Sequence, residues 1–403
     1  MKVVGIVCEY NPFHNGHKKL IEYAKTTLGA DYIIGVMSGN FTQRGEPAII
    51  DKYSRAKMAL INGIDIIYEI PTLFACSSAK EYATCAVKML AKTGVVDTIV
   101  FGCETSDANQ FITYAKKLIE LEQDDDFNNA IIKYTKEGLS YPVARSKALD
   151  TYIDSSFISS PNNILGLEYT MAILSNSYDI KIATIQRDSN YNSLEMEGVS
   201  SSASSIRNAI SNNLSFTNTM PTNAYDILDN CISSNAYILP NDLSGILSYK
   251  LLSENSFTEY LDIDNDLSNK ICNSLASFNG FNAFANELKS KNLTLTKIQR
   301  GLIHILLGIT TDDFEKAKSL DYITYLRMLG FSKNGSQLLS LIKENAEVPI
   351  ITSLASRDSS AEAINLLLDL DIYASDIYRS IITNKTGQTL PTEYTKKYEL
   401  CNL

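Results

Sequence analysis

Five short runs of β-branched and aliphatic residues alternate with stretches of helical spacing in the first half of the chain, and this alternation leaves little choice of fold. The runs are Val3–Cys8, Tyr32–Ser38, Ile64–Glu69, Thr98–Gly102 and Ile180–Gln186. Their near-continuous Val/Ile content suits strands covered on both faces, as in a parallel sheet. Between them apolar residues recur at helical spacing over Gly16–Leu28, Tyr53–Ile61, Lys80–Lys92, Asn109–Leu121 and Asn163–Leu174. Such a βαβ series predicts a doubly wound, five-stranded parallel α/β sheet of Rossmann-like type, with ligands beyond the carboxyl ends of the strands.

The polar, turn-rich stretch Ser211–Ala224 reads as a linker. It divides the 403 residues into 1–212 and 213–403, each long enough for a core of its own. In the second part strand-like runs give way to helical spacing over Asp242–Leu252, Leu267–Ser277, Lys297–Leu307, Asp321–Met328 and Ser336–Ile342, which predicts an all-helical domain. The net charge of −10 argues against a protein that coats nucleic acid non-specifically. Cys8, Cys76, Cys85, Cys103, Cys231, Cys272 and Cys401 form no Cys-x-x-Cys pair, so reduced thiols and a cytoplasmic location are expected. No run is apolar and long enough to span a bilayer, and Met1-Lys2-Val3-Val4 opens with no signal-peptide layout.

The sharpest local feature is Glu9-Tyr10-Asn11-Pro12-Phe13-His14-Asn15-Gly16-His17, directly after the first strand. Two of the three histidines in the chain stand three residues apart, on one face of an opening helix. Free N–H groups at a helix start favour an anion, Gly16 leaves the backbone open, and two imidazoles can hydrogen-bond phosphate oxygens. A zinc site needs more ligands than two histidines, no third stands out nearby, and no metal site is expected. His304, inside Leu302–Leu307, reads as a core histidine. The turn resembles the His-x-Gly-His signature of nucleotidyltransferases and class I aminoacyl-tRNA synthetases. The second signature of that superfamily, a Ser/Thr-rich turn ending in Ile-Arg, is matched by Ser200-Ser201-Ser202-Ala203-Ser204-Ser205-Ile206-Arg207. Ala203 stands where many members carry a hydroxyl, so the match rests on Ser202, Ser204, Ser205 and Arg207. The hydroxyls suit the β- and γ-phosphates, and Arg207 suits departing pyrophosphate.

Longer strings resemble one family, the tRNA(Met) cytidine acetate ligases. They are Glu9–His17, Ser38–Pro47, Phe101-Gly102-Cys103-Glu104, Pro161-Asn162-Asn163-Ile164-Leu165-Gly166, Lys297-Ile298-Gln299-Arg300 and Tyr325–Phe331, and they run along nearly the whole chain. The resemblance implies a two-step ligation. ATP and acetate give acetyl-adenylate and pyrophosphate; the N4 amine of the wobble cytidine of elongator tRNA(Met) then takes the acetyl group, giving N4-acetylcytidine. It implies an ATP site over Val7-Cys8-Glu9-Tyr10-Asn11-Pro12-Phe13-His14-Asn15-Gly16-His17-Lys18-Lys19-Leu20, with Gly102, Asn162 (or Asn163) and Arg187 as further contacts. His14, His17, Ser204 and Arg207 are the catalytic candidates, and Ser202 and Ser205 join the ATP set.

Gln43, Arg44 and Glu46, in the loop after the second strand, are the acetate and acceptor candidates, Arg44 for acetate or a tRNA phosphate and Glu46 for orienting the acceptor amine. Asp51 is expected to cap a helix whose basic residues Lys52 and Arg55, with Lys297, Arg300 and Arg327 from the second half, are candidates for RNA contact. Mg²⁺ is expected with the nucleotide, although no protein ligand for it stands out. No membrane or obligate protein partner is implied. Two other functions use the same turn: adenylyl transfer to a phosphorylated metabolite, and a non-catalytic nucleotide-binding scaffold. The long helical second half disfavours the first, and the intact histidines, Ser-rich turn and Arg207 disfavour the second.

Overall fold

The computed structural model describes every residue except 106, 140, 151, 155, 156, 159, 188–201, 292, 355, 356, 358, 359, 402 and 403. Ser200 and Ser201, at the head of the Ser-rich run, therefore lie outside the described residues. The five expected strands form as β1 (Val3–Cys8), β2 (Tyr32–Ser38), β3 (Ile66–Ile70), β4 (Thr98–Cys103) and β5 (Lys181–Gln186), all parallel, in the order β5-β4-β1-β2-β3. β1 to β4 are almost wholly buried, whereas β5 is an edge strand and partly exposed. After β3 the chain returns to the other side of β1, so the crevice between the carboxyl ends of β1 and β4 is the switch point of the sheet.

The expectation of five strands and an all-helical second half is corrected here. β6 (Leu326–Ser332) pairs antiparallel with β3, and β7 (Ile350–Ile351) and β8 (Glu399–Cys401) pair with β6, giving an eight-stranded sheet. The segment expected as helix Asp321–Met328 is a turn leading into β6. Its apolar residues Ile323, Tyr325, Leu326 and Met328 fit either period, and a short run of this kind becomes a strand when an open sheet edge is there to receive it. The rest of the second part is helical, including Ser244–Leu252, Asn265–Ser274, Leu295–Leu307, Gly335–Asn345 and the long Glu362–Thr386 helix.

Alternate residues of each strand face opposite layers. Val3, Ile34 and Ile66 point into the larger core, and Val4, Ile33 and Ile67 into the smaller. The larger core also takes Leu247, Leu302, Leu306, Leu368 and Tyr378 from the second half, and the smaller takes Met220, Ala224 and Leu228, so that half packs onto both faces of the shared sheet.

A four-charge cluster joins the halves at the β3/β6 edge. Lys52 Nζ lies 2.8 Å from both carboxylate oxygens of Glu69, 3.2 Å from Glu393 Oε1 and 3.0 Å from Ser375 Oγ. Arg327 pairs with Glu69 at 3.2 Å and with Glu393. Tyr53 donates its hydroxyl to Glu393 at 2.9 Å. Lys52 is fully buried, and Glu69, Arg327 and Glu393 nearly so. Two cations face two carboxyls, and burial raises that of Glu69 to about 7 against the pull of Lys52 and Arg327. Although burial opposes ionisation of Glu393, Lys52 and Arg327 hold its carboxyl down to about 2. Removing one partner strands a charge in the interior, so Arg327→Met is expected to cost about 3–5 kcal/mol in urea unfolding. A loss under about 1 kcal/mol, the worth of an exposed pair, would contradict this role.

Candidate active site

The helix Asn15–Thr26 begins at the end of β1, and its capping is done by imidazoles. His14 is the extended N-cap, with φ −143° and ψ 174°. Its Nδ1 accepts the Gly16 N–H at 3.0 Å, while the Nδ1 of His17 accepts the His14 N–H at 3.2 Å. This is the reciprocal geometry of a capping box, with two histidines in place of Ser/Thr and Glu. Because each Nδ1 is an acceptor, the proton of each neutral ring sits on Nε2, the nitrogen left to donate to a ligand. The rings lie 3.7 Å apart between centroids at 32°. Gly16 is required by this packing: a Cβ there would lie 2.8 Å from His14 Cε1.

Burial, and secondarily the Arg187 charge, push His14 down to about 3. Burial, then His14 and Arg187, hold His17 well below its ordinary value. Both rings are therefore neutral near pH 7. They can stabilise charge on a phosphate by hydrogen bonding without exchanging a proton.

A cleft at the β1/β4 switch point is lined from the first stretch by Val7, Cys8, Glu9, Tyr10, Asn11, His14, His17 and Leu20. It encloses about 1080 Å³ including its open mouth. Pro12, Asn15, Gly16, Lys18 and Lys19 do not line it, and Phe13 is buried behind, against Tyr10 and His17.

Gly102, Asn162, Arg187, Ser202, Ser204 and Arg207 all reach the same cleft. Ser202 caps the Ala203–Ser211 helix by accepting the Ser205 N–H at 3.1 Å. A second helix start thus faces the histidines' helix start. Ser205, expected among the contacts, is fully buried and donates to the Ser202 carbonyl at 2.8 Å, so it shapes the turn. Arg207 donates through Nη1 to the Asn11 carbonyl at 2.8 Å and lies 3.4 Å from Ser204 Oγ.

Asn162 and Asn163 differ in what their side chains hold. The Asn163 side chain accepts the backbone N–H groups of Glu104 and Thr105 at 3.1 and 3.3 Å and ties down the loop after β4. Asn162 faces the cleft and donates to Glu104 at 2.7 Å. Asn162, Leu165 and Tyr169 line it together. Their i, i+3, i+7 spacing on one helix face is a signal that points to Leu165 and Tyr169 as well. With Phe101 they make an apolar, aromatic wall. Thr42 and Tyr82 also line the cleft, without a comparable signal in the sequence.

In the loop after β2, Gln43 and Arg44 reach the cleft. Glu46 does not line it. Its Oε1 accepts from Gln299 Nε2 at 3.0 Å and its Oε2 lies 3.6 Å from Arg207 Nη2. Most of the expected RNA contacts are corrected. Lys52 and Arg327 are held in the buried cluster. Arg55 is fully buried and donates to the carbonyls of Glu9, Ser38, Gly39 and Ile50. Asp51 caps their helix as expected. Arg300 is spent on Asp262 at 2.8 Å, and Lys297 is half-exposed, 3.6 Å from Asp264. Cationic side chains in a sequence carry no mark of burial, and these are satisfied by groups from other elements of the fold. His304 is buried between the carbonyls of Leu261 and Cys76, as a core histidine.

A family model described as HIGH Nucleotidyl Transferase matches residues 1–393. The tRNA(Met) cytidine acetate ligase of Thermosipho melanesiensis is 36% identical over 98% of this chain and 98% of its own length. That of Clostridium perfringens is 37% identical, over 94% and 95%. The chain belongs to the tRNA(Met) cytidine acetate ligase family. Among solved structures, apo Thermotoga maritima TmcAL superposes with a TM-score of 0.93 at 29% identity, covering the whole of both chains. A form of that protein bound with alpha-thio ATP gives 0.89, again over both whole chains.

The depressed His14 value has a sign that can be measured. Below about pH 6.5 the unfolded chain takes up a proton that the folded chain refuses. The contribution of His14 to stability is therefore complete above that pH and is lost as the pH falls toward about 3. Urea midpoints of the wild type should fall relative to those of His14→Gln between about pH 6.5 and 4. Parallel curves would show that the ring is protonated in the fold.

Proposed function

We propose that the chain is an ATP-dependent tRNA(Met) cytidine acetate ligase that works in the cytoplasm. The observation that carries the reading is the meeting of two helix starts, one capped by neutral histidines and one by Ser202, at the switch point of the sheet. The aromatic wall of Phe101, Leu165 and Tyr169 offers a seat for the adenine, with Gly102, Asn162 and Arg187 along the nucleoside. The triphosphate then runs toward His14, His17 and the N-terminus of the Ala203–Ser211 helix.

Acetate is a poor acyl donor until its oxygen carries a good leaving group. In the first step an acetate oxygen attacks the α-phosphorus, the bond to the bridging oxygen breaks, and pyrophosphate leaves. The Nε2–H groups of His14 and His17 donate to the α-phosphate oxygens as charge builds there, and Arg207 and Ser204 receive the pyrophosphate. Gln43 and Arg44 hold the acetate carboxylate. In the second step the wobble cytidine N4 attacks the acetyl carbon, AMP leaves, and the amine loses a proton to give N4-acetylcytidine. Among the described residues no group of three or more His, Cys, Asp or Glu gathers to hold a metal. Mg²⁺ would come with the nucleotide and help neutralise its phosphates. RNA phosphates fall to surface cations such as Lys18, which is half-exposed, and Lys297.

Acetate-dependent exchange of labelled pyrophosphate into ATP, followed by nucleoside analysis of tRNA incubated with the protein, tests both steps. Exchange together with N4-acetylcytidine supports the ligase. ATP binding without exchange, with or without tRNA, overturns it. His17→Ala should slow exchange by about 10²-fold or more, the usual cost of one donor to developing charge; an unchanged rate removes the histidines from the mechanism. Lys297→Glu should weaken tRNA binding and reduce its salt dependence by about one counterion without touching exchange. Unaltered tRNA affinity would clear that helix of contact.

A further inference from the structure

Gln299, far from the nucleotide in sequence and absent from the cleft wall, is connected to the phosphate site through Glu46. The Leu295–Leu307 helix runs against the loop after β2 with no slack. Gly45 has φ +72°, and a Cβ on it would lie 2.3 Å from the Arg300 nitrogen. The loop is closed on itself by the Thr42 N–H to the Glu46 carbonyl and the Gly45 N–H to the Thr42 carbonyl, both 2.9 Å. From this platform Gln299 Nε2 donates to Glu46 Oε1 at 3.0 Å, and the other carboxylate oxygen stops 3.6 Å from Arg207 Nη2. That is inside ion-pair range and outside a hydrogen bond. Both side chains are about one-fifth exposed, so the interaction is only partly screened.

We propose that Gln299 is a positioning residue. Its hydrogen bond restrains the Glu46 carboxylate short of Arg207 and so keeps the guanidinium available to the nucleotide's phosphates. Without the restraint, the carboxylate closes onto Arg207 as a charge-assisted pair and competes with phosphate for the same donors. Glu46 is thus an internal rival of the triphosphate, and the helix that carries Gln299 sets how far it can reach. The inference rests on the ATP-site reading above and adds to it a means by which the helical half acts on the phosphate end of the cleft.

The test is a double-mutant cycle read as the ratio of ATP to AMP affinity by calorimetry on the full chain, since AMP lacks the phosphates that Arg207 would hold. Gln299→Met, close in volume and without a donor, should lower the ratio by about fivefold, and Glu46→Gln should raise it; Glu46→Gln with Gln299→Met should match Glu46→Gln alone, the non-additivity expected of a single relay. Three results overturn the proposal: Gln299→Met weakens ATP and AMP alike, its effect persists in the Glu46→Gln background, or Glu46→Gln lowers the ratio. A wild type that does not distinguish ATP from AMP overturns it too. Failure of the ligase reading looks different: a wild type that prefers ATP but gives no acetate-dependent exchange leaves the cycle fully readable.

Discussion

The arrangement of the cleft depends on the buried cluster of Lys52, Glu69, Arg327 and Glu393. Each charge costs several kcal/mol to remove from water, and only a partner in contact offsets that. The four residues come from the helix after the cleft loop, from β3, from β6 and from the C-terminal segment. The network is complete only when all four segments are in place. The cluster therefore binds the second half of the chain to the first, and its members hold the cleft loop from behind. Lys52 donates its backbone N–H to Asn40 at 2.9 Å, and Asn40 in turn donates to Ser375 at 3.3 Å. Arg55, one helical turn on from Lys52, gathers four carbonyls from the ends of β1 and β2 and the loop beyond them. Tyr378 fastens the far side of the loop through the Ala48 carbonyl at 2.7 Å.

On that frame two helix starts are brought face to face, and they are capped differently. At Ser202 the cap is a hydroxyl; at His14 it is an imidazole. Capping through Nδ1 fixes the tautomer, and burial keeps the ring neutral. One arrangement therefore satisfies the helix start and leaves an N–H donor on the other nitrogen. A protonated pair 3.7 Å apart would repel, and the positive Arg187 adds to that penalty. Neutral donors suit an adenylyl transfer, in which charge must be stabilised at phosphorus while no proton need move.

Much of the site was legible in the sequence. His14, His17, Gly102, Arg187, Ser204 and Arg207 belong to strand ends and helix starts, and all of them line one cleft. Basic residues were misread for a common reason. Lys52, Arg55, Arg300 and Arg327 look like an RNA-facing set because side-chain type is visible and burial is not. Their partners come from other elements of the fold, and no spacing announces them. Glu46 was placed at the acceptor for a similar reason: its loop position is local information, while its hold on Gln299 is not.

The chain by itself determined what short-range physics controls. Runs of Val and Ile set β1 to β4 almost to the residue, Asp51 and Ser202 set helix starts, and Gly16 left room for an imidazole cap. The tertiary structure decided what depends on pairing across distance. It made Leu326–Ser332 a strand, because β3 offered an open edge and two buried carboxylates awaited Arg327. It joined strands of the second half to the sheet of the first, and the apolar faces of that half found cover there. It also brought Gln299 to within one side chain of Arg207, a contact that exists only because Gly45 lets two backbones touch.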